Sequence, residues 1–275
     1  MKKIASNLLL VFIITGFSLF GQKKITILHT NDTHSRIEPI PETDKNAPDK
    51  GGALRRAKYI EQVRQENKNV ILIDAGDFLQ GTPYYNLFEG KVETEVMNMM
   101  KYDVATLGNH EFDYGLEGLK KVVDWAKFPI ISSNYDFSGT PLKDVFDPYL
   151  ILKRDGVKIG IIGVNVQPKG LIATDNYAGM IFLDPIETVN HYAQKLKTID
   201  RCDLIIVLSH LGYTSDKKLA EASQNVDMII GGHSHTYMKE PDRIKNAANK
   251  DVMVYQTSGR GVYVGRIDVE LEKIK

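Results

Sequence analysis

The sequence has little cysteine and no net charge, and each shortage excludes something. A single cysteine, Cys202, among 275 residues rules out an internal disulfide and a thiolate metal cluster. It sits just ahead of an apolar run, where a small buried hydrophobe is the expected role rather than a reactive thiol. Thirty-five Lys and Arg stand against thirty-five Asp and Glu, so the basic bias of a nucleic-acid binder is missing. There is no internal repeat and no low-complexity tract. There is also no comfortable membrane span, which takes ~20 apolar residues. The run Leu8 to Phe20 falls short of that. With Lys2 and Lys3 ahead of it, it reads as a secretory signal peptide over residues 1–21, cut near Gly21-Gln22. An uncleaved anchor is the alternative. No cysteine follows the run to take a lipid. On this reading residues 22–275 form the mature domain, exported to the periplasm or the outside of the cell.

An apolar share of 43% is enough for a substantial core, and the length suits one large domain or two small ones. Ile25 to Leu28 alternates and reads as the first strand. Val70 to Ile73, Leu204 to Leu208 and Val226 to Ile230 are continuous apolar runs, the mark of strands covered on both faces. After Gly51-Gly52, residues Leu54, Ala57, Ile60 and Val63 have helical spacing up to about Asn67, with Arg55 and Arg56 expected on the solvated face. A second helix carries Val92, Val96, Met97 and Met100, the methionines as core filler. Further helices are expected at Leu116 to Trp125 and Ile186 to Ile199. Residues 38–50, rich in Pro, Asp and Lys without an apolar period, read as an exposed loop. Tyr149 to Leu152 and Val157 to Val164 should pair around an Arg154-Asp155-Gly156 turn. Asp251 to Gln256 and Val262 to Leu271 finish the chain as strands, with a turn at Gly259-Arg260-Gly261. Early strand–helix alternation and later hairpins together point to a mixed α/β domain of stacked sheets flanked by helices.

The chain is organised around Leu107 to Gly115, which follows the short apolar run Val104 to Thr106. It offers a neutral oxygen in Asn109, an imidazole in His110 and a carboxylate in Asp113. Four other stretches offer donors in the same style after apolar runs: Asn31 to His34, Gly76-Asp77, Ser209-His210 and Gly231 to His235. Of seven histidines, five fall in these stretches, a clustering that chance does not produce. His29 is expected to be packed or to support the site from behind, and His191 to be solvated on its helix. Asp32 and His34 are two apart, which in an extended segment puts both side chains on one face; His233 and His235 repeat the spacing. Asp77 can offer two oxygens and so bridge two ions. The donor set Asp32, His34, Asp77, Asn109, His210, His233 and His235 mixes nitrogen and oxygen without sulfur. It suits two divalent ions of Mn, Zn, Fe or Co better than Ca or Mg. Two ions ~4 Å apart would clamp a phosphoryl group and acidify a bridging water for attack on phosphorus. His110 is then placed to protonate the leaving alkoxide and, with Asn109, to touch substrate. Asp113 either orients His110 or caps the following helix; the orienting role is preferred.

At these residues the sequence resembles the calcineurin-like metallophosphoesterases, and within them the 5′-nucleotidase family. The signatures are Ile27 to Arg36, Tyr102 to Asp113, Gly76-Asp77 and Gly232 to His235, and the likeness runs over nearly all of Lys24 to Lys275. The resemblance implies a four-layered αββα catalytic domain. It implies one ion held by Asp32, His34, Asp77 and His235, a second held by Asp77, Asn109, His210 and His233, and a transition-state dyad of His110 and Asp113. The activity it implies is hydrolysis of phosphate monoesters, 5′-nucleotides first. A 2′,3′-cyclic-nucleotide phosphodiesterase and a thiosulfate-type hydrolase of sulfur oxidation are the alternatives. Members of the family carry a second half that binds the nucleoside, so a separate chain supplying it, or broad acceptance of phosphate esters, is a further expectation.

Overall fold

The structure is a computed structural model that describes residues 23–271. The expected signal peptide, residues 1–21, lies outside the described residues. In chain order the elements are β1 (Lys23–Thr30), α1 (Ala53–Glu66), β2 (Val70–Asp74), α2 (Pro83–Phe88), α3 (Lys91–Met100), β3 (Val104–Thr106), α4 (Gly115–Trp125), β4 (Ile130–Ile131), β5 (Tyr135–Asp136), β6 (Tyr149–Arg154), β7 (Val157–Asn165), β8 (Ile181–Phe182), α5 (Pro185–Thr198), β9 (Leu204–His210), α6 (Tyr213–Ala222), β10 (Met228–Ile230), β11 (Asp242–Lys245), β12 (Asp251–Tyr255) and β13 (Gly265–Leu271). Among the described residues, no helix is long and apolar enough to cross a membrane.

Two sheets form the middle layers. One runs β13-β1-β2-β3-β4, the other β11-β12-β10-β9-β7-β6. The continuous apolar runs still obey the two-residue period of a strand, and it divides them between two cores. Ile25 and Ile27, Ile71 and Ile73, Leu204, Ile206 and Leu208 point between the sheets. Leu28 and Leu72 point outward onto Ala53, Ile60, Val63, Met97, Leu119 and Val122 of α1, α3 and α4. Ile205 and Val207 point outward onto Val189, Ala193, Leu196 and Leu219 of α5 and α6. The order of layers is thus helix, sheet, sheet, helix, as the resemblance implied. Cys202 is buried in the last of these cores, and Met97 and Met100 fill the first.

Three expectations need correction. Hairpins do not dominate the second half: β7, β9, β10 and β12 are parallel neighbours. The hairpins β6–β7 and β11–β12 only supply the two edges, because α5 and α6 act as crossovers. Arg56 is buried, not solvated; its guanidinium donates to the carbonyl oxygens of Arg36 at 3.1 Å and Gly261 at 3.4 Å, and so ties the loop after β1 to the turn before β13. Residues 38–50 are not wholly exposed either. Ile40 and Ala47 are buried, and the loop closes on itself through Ile40 N–H to Lys50 O and Asp49 N–H to Ile40 O. Smaller differences lie at element ends, the last strand starting at Gly265 rather than Val262.

Candidate metal centre

β1, β2 and β3 in one sheet and β9 and β10 in the other all end at the same rim of the molecule, where parallel α/β sheets bind their ligands. Asn31 to His34 follows β1, Gly76-Asp77 follows β2, Gly108 to His110 follows β3, and Gly231 to His235 follows β10. His210 is the last residue of β9. The two-residue period that sends Leu204, Ile206 and Leu208 inward sends His210 between the sheets as well, where it is fully buried.

The loops converge. Donor atoms of Asp32, His34 and His235 lie within 4.8 Å of one another, as do those of Asp77, His210 and His233, and those of His34, Asp77 and His110. Asp32 Oδ1 is 3.2 Å from His235 Nε2 and 3.9 Å from His34 Nε2. Asp77 Oδ2 is 3.1 Å from His210 Nε2. The convergence is reached by a route other than the extended segment expected from the spacing. Asp32, His34, Asp77, His233 and His235 all have positive φ, between 47° and 71°. Left-handed residues at alternate positions make tight kinks, which aim successive side chains at one point at some conformational cost. Gly76 (φ 88°) permits the kink at β2, for a Cβ there would stand 2.6 Å from the amide nitrogen of Gly108.

Whether these residues suit metal ions is answered by atoms left without partners. Asn109 Oδ1, His34 Nδ1 and His210 Nε2 are buried without a hydrogen bond, an arrangement costly unless another group satisfies them. His210 Nδ1 donates to Ala75 O at 2.6 Å, so Nε2 is the nitrogen left to meet a cation, and it faces the Asp77 carboxylate at 3.1 Å. A metal-ligating histidine is held in this way by its other nitrogen. Burial pulls the pKa of His210 down, but Asp77 and Asp32 outweigh it and lift it to about 10: two buried carboxylates demand positive charge at this point. His34 and His233 are pulled below the usual imidazole range by burial, which keeps their rings neutral and able to ligate. His34 Nε2 and His235 Nε2 are 2.9 Å apart, close enough to need a shared proton or cation. The donor set therefore fits divalent ions.

His110 stands beside the cluster, half-buried. Its Nδ1 donates to Asp113 Oδ2 at 2.9 Å, and that hydrogen bond raises its pKa to about 8 against the opposing effect of burial. Asp113 does not cap α4: the cap position is Tyr114, without a side-chain bond. All nine residues singled out in the sequence are brought together at this rim. Of the other two histidines, His29 is buried on β1 behind the site, its ring edge-on to Tyr255, and His191 is exposed on α5.

Supporting residues were missed. Glu111 accepts the backbone N–H groups of Asp77, Phe78, Leu79 and Gly108. Asn31 Oδ1 accepts from Thr257 N–H at 3.0 Å, and Gln256 donates to Gly232 O at 2.8 Å, joining the first and last donor loops to the end of β12. Asn165 Nδ2 donates to Thr106 Oγ1 at 2.9 Å, stitching β7 to β3 across the sheets. The one available signal was a carboxylate at Glu111, inside the central stretch and next to buried Phe112. Arg36 and Arg260 line the cavity of about 470 Å³ over the donors, with Leu171 on its wall.

Residues 25–237 match the family model described as calcineurin-like phosphoesterase. The chain is similar to a snake venom 5′-nucleotidase of Crotalus adamanteus, 35% identical over 89% of this chain and 43% of that protein. It is similar to a human 5′-nucleotidase, 32% identical over 92% of this chain and 47% of that protein. Among solved structures it superposes on a 5′-nucleotidase precursor from Thermus thermophilus with a TM-score of 0.84, at 35% identity over 90% of this chain and 51% of that one. The chain thus spans about half the length of the relatives it matches.

Proposed function

The chain belongs to the calcineurin-like phosphoesterases, and from that premise we propose that it hydrolyses phosphate monoesters, 5′-nucleotides first, to an alcohol and inorganic phosphate. The observation that carries the reading is the two donor triads Asp32–His34–His235 and Asp77–His210–His233, linked by the approach of Asp77 to His34, with His210 Nε2 and Asn109 Oδ1 buried without a hydrogen bond. Asp32, His34, Asp77 and His235 would hold one divalent ion; Asp77, Asn109, His210 and His233 would hold the other. When bound, such a pair supplies positive charge to phosphoryl oxygens and lowers the pKa of water in the site. The chain's own part is positioning and proton transfer. Asn109 and His110 border the cavity and would contact the ester. Water displaces the alcohol at phosphorus, the P–O ester bond breaks, and the proton on His110 Nε2 passes to the departing oxygen. Asp113 fixes the His110 ring and keeps it protonated near neutral pH, as a general acid requires.

The test is a panel of nucleoside monophosphates, 2′,3′-cyclic nucleotides and aryl phosphates on the purified chain. Activity on monoesters is expected, abolished by a chelator and restored by Mn or Co. Turnover of cyclic nucleotides alone would replace this reading with the diesterase. The same panel bears on a separate chain supplying a nucleoside-binding half: AMP turnover with a low KM from this chain alone speaks against it. We also infer export, from Lys2, Lys3 and the apolar run Leu8 to Phe20. Cell fractionation and N-terminal sequencing should find a mature protein starting near Gln22 outside the cytoplasm; intact Met1 in the cytosol refutes it.

A further inference from the structure

We propose that Arg36 grips the phosphoryl group of the substrate and makes this chain select phosphate monoesters over diesters. The inference rests on the hydrolytic reading above and names a specificity-determining residue of the same site. Arg36 lines the cavity over the metal donors. It stands two residues beyond His34, and two residues span at most ~7 Å. Its Nε is buried without a hydrogen bond. The other arginine of that cavity, Arg260, is paired with Asp44 at 2.7 Å. Among the described residues Arg36 has no such ion pair, and Arg260 opposes it with its own positive charge. A half-buried guanidinium without a counter-ion, beside a cluster of ligating groups, is suited to an anion that enters the cavity.

The backbone holds Arg36 in place. Ser35 takes a φ of 54°, and the kink is fixed by Ser35 N–H to Phe78 O and Arg36 N–H to Thr33 O, both at 3.0 Å. The Ser35 hydroxyl donates to the buried carboxylate of Glu93 and lies 2.6 Å from Thr82 Oγ1, so α3 and the start of α2 grip the loop together. Arg36, Arg56 and Glu93 also line a small cavity of about 10 Å³, and each has a buried nitrogen or oxygen without a partner. Arg36 therefore borders a small polar space on one side and the donor cavity on the other. The chemistry of the ester decides what it can hold there. A phosphate monoester carries three non-bridging oxygens and a charge of about −1.5 to −2 near neutral pH. A diester has two such oxygens and a single charge. With two oxygens taken at the donors and His110 turned to the leaving oxygen, the third is left for a guanidinium fork. Only the monoester has it.

Two measurements test this. The first is the ratio of kcat/KM for p-nitrophenyl phosphate over that for bis(p-nitrophenyl) phosphate, two esters with the same leaving group. In Arg36→Gln the ratio should fall about 10- to 100-fold, the worth of a hydrogen bond between charged groups, mostly through a higher KM for the monoester. The second is calorimetric titration of the manganese-loaded chain with inorganic phosphate, whose Kd should rise by a similar factor in the variant. Arg36→Lys keeps the charge and the stem but loses the fork. It should fall between wild type and Arg36→Gln in both measurements, and it carries the test should the glutamine variant fail to fold. An unchanged ester ratio, or equal phosphate affinity in wild type and variants, overturns the proposal and leaves the hydrolytic reading standing. Loss of bound metal from Arg36→Gln by elemental analysis also overturns it, since Arg36 would then serve only to support His34. Should the chain hydrolyse no ester while phosphate binding still depends on Arg36, the hydrolytic reading falls and the anion grip stands.

Discussion

Glu111 and Asp77 brace each other. The Glu111 carboxylate accepts the Asp77 N–H at 3.0 Å, and the Asp77 carboxylate accepts the N–H of His110, next to Glu111, at 2.9 Å. The loop after β2 and the loop after β3 therefore hold each other's acidic side chains. Burial and the nearby Asp77 raise the Glu111 pKa to about 7, yet four N–H groups converge on it. Glu111→Gln puts an amide against donors that need an acceptor. It is expected to weaken metal affinity by about 10- to 100-fold, the usual cost of losing a group behind a ligand, and to lower stability by about 1–3 kcal/mol. Metal titration by calorimetry beside urea unfolding checks both, and wild-type metal affinity in the variant refutes the bracing role.

His110 lies beside the donors but is assigned to proton transfer. His110→Ala should cut kcat on monoesters by about 10²- to 10⁴-fold with metal content unchanged by elemental analysis. Its nitrogen lies within reach of Asp77 and His34, so loss of bound metal in this variant would make it a ligand instead. Asp113→Ala should have a smaller effect in the same direction.

Removing metal ions should destabilise the fold, since the donor loops then hold unpartnered lone pairs and facing carboxylates. At Mn concentrations of 100 times Kd the linkage amounts to about 2.7 kcal/mol, equivalent to a rise in Tm of about 5–10 °C for a chain of this size. Scanning calorimetry with and without Mn measures it. Asp77→Asn should abolish most of the shift.

His29 makes acid stability testable away from the donors. Burial lowers its pKa from 6.5 to about 4. Its Nδ1 has no partner, and its ring packs so closely on Gly265 that a Cβ there would lie 2.1 Å from Nε2. Between pH 4 and 6.5 the unfolded chain holds a proton on this ring that the folded chain does not. The full contribution to stability is therefore present above pH 6.5 and declines as pH falls through that window, by about 3 kcal/mol. Urea unfolding of wild type and His29→Phe at a series of pH values should show the wild type losing more stability over that range. Parallel curves would place the ring in a more solvated setting.

Much of this protein was written locally. The buried strands are legible as unbroken apolar runs, the helices as apolar residues at helical spacing, and the nine site residues as polar breaks directly after strands, because side-chain period and burial are short-range properties. The tertiary structure alone decided which strands share a sheet, β13 joining β1 from the far end of the chain and β9 joining β7. It also decided that Arg56 is buried, that Glu111 serves two loops, that the donor loops are kinked rather than extended, and that Arg36 borders the donor cavity. Each of these depends on groups distant in sequence, or on a backbone conformation sustained by such groups. No periodicity in the residues themselves encodes which partner a buried donor or acceptor will find.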